Sequence, residues 1–200
     1  MKNFFSKYSY SVVKMFVNQF AISIFGAGLW AAMAGLGNKA LLVGISIFAI
    51  LFYLFLIYNM TWEIGAKDKI SVDVGKKVYR PLTGLWMSLL ANVPNFLLAI
   101  LYTVCRVFSP KLDSIGAIPR VGLLLFEGMY YGLVTEIYKI VEVTEAHPEG
   151  RMYIHEFCQT YFIVIIPAII TASVAYYLGH KNFKFIAGLF NKKPDAANKK

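Results

Sequence analysis

Long apolar runs alternate with short charged ones along the chain. Five stretches stand out: about Met15 to Leu36, Ala40 to about Trp62, Leu82 to about Val107, about Ile118 to Val141, and about Cys158 to Gly179. Each is near the roughly 20 apolar residues a helix needs to cross a bilayer. The second is the cleanest, because LLVGISIFAILFYLFLIY carries no charge. None shows the two-residue alternation of a barrel strand. Peptide groups in hydrocarbon must then pair within their own segment. The expected fold is all-α, a polytopic transmembrane bundle of five apolar helical segments. Only Gly37, Asn38 and Lys39 separate the first two segments, which predicts a tight antiparallel hairpin. The expected organisation is one membrane domain over residues 1–190 and a disordered basic tail over 191–200.

Composition agrees. Of 200 residues, 58% are apolar and 16% charged, against about 45–50% and about 25% in soluble domains. The formal charge is +9. The basic residues sit between and beyond the apolar runs, so they point to topology control and anionic lipid headgroups rather than to nucleic acid. Fourteen of the twenty lie in three regions: the N-terminus to Lys14, the linker Gly65–Arg80, and the tail after Gly179. The positive-inside rule places all three in the cytoplasm. Two segments separate the first region from the second, as required. Three separate the second from the third, so one of these should fail to cross.

Two segments qualify. The third carries Ala91-Asn92-Val93-Pro94-Asn95 at its middle, where proline breaks a helix and asparagine favours a turn. It would form a re-entrant hairpin. The fourth holds Arg120, Glu127, Glu136 and Lys139, each costly in lipid. The fourth is the preferred irregular element, giving four full spans and two cytoplasmic termini. Five crossings with an outward tail is the remaining alternative. Lys2, Lys7 and Lys14 before an apolar run, and Ala32-Met33-Ala34 after it, have the outline of a signal peptide. The run is too long for one, and a retained first span is expected. Trp30, Trp62 and Trp86 fall at expected membrane boundaries and suit anchoring.

The candidate chemistry is sparse. Glu127 stands inside an apolar run, with Arg120 seven residues earlier on the same helical face. An intramembrane carboxylate either binds a proton or cation, or pairs with Arg120 or Arg106 in the service of packing. Asn18, Gln19, Asn92 and Asn95 would line a polar cavity or join helices through amide hydrogen bonds. Ala27, Ala31 and Gly35 form a small-residue stripe, expected to pack on the second segment, with a homodimer seam as the alternative. Glu145, His147, Glu149, His155, Glu156 and Cys158 form a polar cluster, but the second histidine of HExxH is missing and no metal spacing matches. Cys105 and Cys158 make no framework. There is no Walker A loop, GxGxxG or GxSxG in a fitting context, so neither an enzyme nor a bound cofactor is expected.

The stretches Trp62-Glu63-Ile64-Gly65-Ala66-Lys67-Asp68, Arg80-Pro81-Leu82-Thr83-Gly84-Leu85, Ala91-Asn92-Val93-Pro94-Asn95, and Ile166-Pro167-Ala168 with Tyr177-Leu178-Gly179 resemble a group of small polytopic bacterial membrane proteins without an assigned activity. The resemblance implies a helical fold and a bacterial cytoplasmic membrane, and no ligand. The leading expectation is a non-enzymatic accessory or scaffold subunit acting through lipid, a membrane-protein partner or a second copy. The alternative is a small transporter, or the substrate-binding membrane subunit of one, with a site near Asn92, Asn95 and Glu127.

Overall fold

The computed structural model describes residues 2–108, 113–138 and 159–183, which build helices and no strand. Helices α1 (Lys2–Ala34) and α2 (Lys39–Asp73) form the expected hairpin. Gly37 takes a positive φ of 65° at the turn. The Asn38 side chain caps α2 by accepting from the Leu41 amide at 3.2 Å, which satisfies one of the amides left orphaned at a helix start.

Both helices outrun the apolar segments that announced them. At 1.5 Å per residue each is about 50 Å long, well beyond about 30 Å of hydrocarbon. The surplus is polar. Beyond Trp62, α2 carries the exposed pairs Lys67–Glu63 (2.6 Å) and Lys69–Asp73 (2.8 Å), each one turn apart. Charges end an apolar run without ending a helix, and in water such pairs support one.

One stripe of α2 is buried from end to end: Leu42, Ser46, Ala49, Tyr53, Ile57, Thr61, Gly65 and Asp68. Its spacing is that of a single helical face. The opposite face exposes Phe48, Leu51, Phe52 and Phe55. In the most apolar windows of α1, α2 and the Thr160–His180 helix, only 28%, 28% and 33% of residues are buried inside the protein. Apolar surface on that scale needs lipid to cover it. These three helices are long and apolar enough to cross a membrane, and a broken fourth joins them if its halves count as one span.

That fourth is the third apolar segment. Helices α3 (Thr83–Ala91) and α4 (Val93–Phe108) meet at Asn92 with a bend of 51°. Pro94 offers no amide to the preceding turn and crowds it. Asn92 Nδ2 adds a second bond to the Ser88 carbonyl at 2.9 Å, an oxygen that the Asn92 backbone amide already reaches at 3.1 Å. A pair bent in this way is either one broken span or a re-entrant loop.

The fourth apolar segment is the more irregular one. Helix α5 (Asp113–Glu127) stops at Glu127, a 3-10 turn spans Gly128–Tyr130, and α6 (Tyr131–Tyr138) resumes. Among the described residues its apolar helical stretch is Val121–Val134, shorter than the three long helices. From Phe126, which packs on Phe16 and Phe20, to Tyr131, which packs on Trp30, the chain climbs α1 toward the hairpin. Helices α7 (Thr160–Ile163) and α8 (Ile166–His180) supply the last segment.

Helix α8 lies close against α2. A Cβ on Gly65 would strike the Tyr176 carbonyl, and one on Gly179 would strike the Trp62 carbonyl. Close backbone approach of this kind is how helices associate where apolar side chains gain nothing by leaving lipid. Helix α8 ends at the end of the bundle where α2 ends. The His180 ring stacks on Tyr79 of the linker at 3.9 Å, and the Trp62 indole donates to the Phe183 carbonyl at 2.8 Å. Trp62 thus ties the chain beyond α8 to α2, in addition to its expected place at a boundary.

The small-residue stripe of α1 does not pack as expected. Ala27 meets Gly128 of the fourth segment, while Ala31 and Gly35 are exposed. The break after Glu127 lets that backbone come close enough to α1 to use the space a small residue leaves.

Candidate functional site

Glu127 is the last residue of α5, with φ of −124° and ψ of 9°. Its neighbour Gly128 presses on α1, where a Cβ would lie 2.8 Å from the Ala27 Cβ and 2.9 Å from the Ser23 carbonyl oxygen. Two side chains of α1 receive the broken helix end. Ser23 Oγ donates to the Phe126 carbonyl at 2.6 Å and Gln19 Nε2 donates to the same oxygen at 3.3 Å. The last carbonyls of a helix have no intrahelical partner, and in lipid they need one. Gln19 therefore braces the break rather than lining a cavity.

The Glu127 side chain is only 5% exposed, and neither carboxylate oxygen has a hydrogen-bond partner among the described residues. The Tyr130 hydroxyl is buried and likewise unpartnered. Both groups border a cavity of about 260 Å³, whose wall also includes Tyr131, Tyr161, Thr160 and Val164. An ionised carboxylate buried without a partner costs several kcal/mol. The group meets that cost by holding a proton or by accepting a cation into the cavity.

Asn92 and Asn95 are fully buried but stand apart from this cavity. Asn95 Nδ2 donates to Asn92 Oδ1 at 3.1 Å, and Asn92 in turn donates to Ser88. The pair steadies the bend between α3 and α4. Of the residues expected to share one site, Glu127 lines this cavity, while Asn92 and Asn95 are not among its described lining residues. The two amides bond locally, Asn95 to Asn92 and Asn92 to the carbonyl one turn back. Asn18 is half-buried and makes no side-chain hydrogen bond among the described residues. Arg120 lies within α5, and its side chain falls outside the described residues, as does that of Arg106. The polar run from Glu145 to Cys158 and the basic tail fall outside them too.

A second constellation, at the polar end of the bundle, was not anticipated from sequence. Asp68 is 4% exposed. It accepts from Lys7 Nζ (2.8 Å), Lys77 Nζ (2.9 Å), the Tyr176 hydroxyl (2.9 Å) and, more closely still, the Tyr8 hydroxyl. Lys77 also donates to the Tyr8 oxygen at 2.6 Å. Burial pushes the Asp68 carboxyl up, but the hydrogen bonds from Lys7, Tyr8, Lys77 and Tyr176 outweigh it and bring it down to about 2. One carboxylate thereby ties together α1, α2, the linker and α8. The only sequence signal was position: Asp68 continues the buried stripe of α2 past the last apolar residue.

Comparison with protein-family models, with curated proteins and with solved structures gives no match.

Proposed function

We propose that the protein is a multi-pass protein of the bacterial cytoplasmic membrane that binds a small cation or protonated amine at Glu127. It would act as the substrate-binding membrane subunit of a transport system, or as a small transporter itself. The observation that carries this reading is the unpartnered Glu127 carboxylate, buried on a cavity with the unpartnered Tyr130 hydroxyl. Intramembrane ionisable groups mark ligand and ion pathways, and an interrupted helix at membrane depth is where transporters place such sites. Among the described residues the cavity wall includes no histidine, cysteine or lysine.

Four crossings fit the geometry: α1, α2, the bent pair α3–α4, and α7–α8. The α5–α6 element then bends within the membrane without crossing. This reading is supported by the meeting of Lys7, the linker residues Lys77 and Tyr79, and His180 at one end. The positive-inside rule assigns that end, with both termini, to the cytoplasm.

A second reading, the accessory or scaffold subunit, is favoured by one observation. Gly28, Ala31 and Gly35 present an exposed small-residue face on α1, and the surroundings of both glycines are open. A helix of a partner or of a second copy would pack closely there.

Melting of the purified protein with tetramethylammonium and a series of primary alkylamines decides between them. Binding to the folded state raises Tm with concentration, by the equivalent of about 2.7 kcal/mol at a hundred times Kd. The cation-site reading expects that rise in the wild type and its loss in Glu127→Gln, with the helical circular dichroism unchanged. Equal responses in both proteins, or none to any probe, would leave the scaffold reading in possession.

A further inference from the structure

Beside the Asp68 cluster, two recesses share a wall. One, of about 380 Å³, is bordered by Lys7, Lys76, Lys77 and Arg80, with Asp68 as the sole carboxylate among its lining residues. The other, of about 490 Å³, is bordered by Phe4, Phe5, Pro81, Leu82, Trp86 and Leu90. Phe4, Tyr79, Arg80 and Thr83 belong to both. A cationic recess thus opens directly onto an apolar groove.

The charges in the first recess are not balanced. Lys7 and Lys77 are engaged with Asp68. Lys76 and Arg80 are exposed and form no ion pair among the described residues. The groove is unfilled apolar surface, with Phe5, Leu82 and Trp86 about half exposed. It runs from Pro81 along α3 as far as Leu90. A ligand that satisfies both recesses has an anionic head and an apolar tail joined at the level of Arg80.

We infer that this composite recess is a binding seat for one anionic phospholipid, its phosphate held by Lys76 and Arg80 and an acyl chain lying along Leu82, Trp86 and Leu90. Arg80 stands at the junction, where its planar guanidinium can hold two phosphate oxygens at once. Lys76 adds a second charge from the adjacent linker. Asp68 keeps Lys7 and Lys77 in place behind the head without cancelling the outer pair. The seat is independent of the Glu127 cavity, which lies along the chain from Phe126 to Tyr131 beside the middle of α1.

The test uses the full chain purified in a neutral detergent. Lipid is titrated in as phosphatidylglycerol, phosphatidylcholine or free glycerol 3-phosphate, and native mass spectrometry counts what stays bound. The expected result is one retained phosphatidylglycerol per chain, with phosphatidylcholine and glycerol 3-phosphate retained at least about tenfold more weakly. The double variant Lys76→Gln/Arg80→Gln loses that preference. The control Lys67→Gln/Lys69→Gln removes the same charge from paired lysines outside the recess and keeps it. Three results would overturn the seat: equal loss in the control, which makes the attraction a general one; equal binding of glycerol 3-phosphate, which makes it a phosphate site; and retention undiminished in the double variant. Both substituted residues are exposed, and an unchanged Tm in the double variant verifies that its fold is intact.

Discussion

Two buried carboxylates face opposite circumstances, and their substitutions should move stability in opposite directions. Asp68 has four donors. Its carboxyl lies below its unfolded value, so its contribution is present in full above the ordinary range near 4 and is lost as pH falls through about 2. Thermal stability should therefore hold from neutrality to about pH 4 and drop between there and about pH 2. Asp68→Asn should lower stability by about 2 kcal/mol at pH 7, less than a fully buried pair because the lysines are partly exposed, and should flatten that acid transition. Tm recorded across pH for both proteins checks this. Glu127 has no donor among the described residues. With no ligand added, Glu127→Leu should raise stability by about 1–3 kcal/mol, since it removes an uncompensated polar group from an apolar site. A fall in Tm would show that the carboxylate is instead paired for packing. Glu127 was legible in the sequence, because a charge inside an apolar run announces itself. Asp68 was not, because it sits among other charges and only the docking of three distant segments buries it.

At the level of elements, the informative features are the breaks. A proline predicted the interruption of the third segment, and the bend at Asn92 follows from its missing amide. No residue with that effect marks the break after Glu127. The turn there is bound up with tertiary contacts: Ser23 and Gln19 take the Phe126 carbonyl, and Gly128 lets the backbone settle against Ala27. Gly128→Ala should accordingly cost about 1–3 kcal/mol through overpacking and disturb the Glu127 cavity. Gly28→Ala, one residue beyond Ala27 but with nothing within 4 Å, should be neutral or gain up to about 1 kcal/mol. Parallel denaturation of the two variants in detergent measures the difference. The polar extension of α2 shows that an apolar boundary and a helix end are different things: hydropathy marks the first, and a helix is free to continue past it.

For the whole molecule, the ordering of ends carries the prediction. Single cysteines at Ser6 and Val78 and one in the tail after Phe183, each in a chain without Cys105 and Cys158, should all react with an impermeant maleimide from the same side of the membrane. Cys105 alone should react from the opposite side if α3–α4 crosses. Labelling of the tail from the side opposite Ser6 would remove the four-crossing arrangement and leave the helices themselves intact. The expectation of an even number of crossings rests on lysine placement alone, since those residues resist transfer through lipid.

Legible along the chain were its helical class, the helices long and apolar enough to cross a membrane, the α1–α2 hairpin and the break in the third segment. All of these follow from local properties, namely the length of an apolar run, the position of a proline, or the spacing of charges. Only the tertiary structure decided which polar residues act together. It separated Asn92 and Asn95 from Glu127, enlisted Gln19 as a brace, and brought Lys7, Tyr8, Lys77 and Tyr176 to Asp68. A polar group in an apolar medium takes the nearest available partner, and which partner is nearest is fixed by how the helices dock, a property no single segment contains.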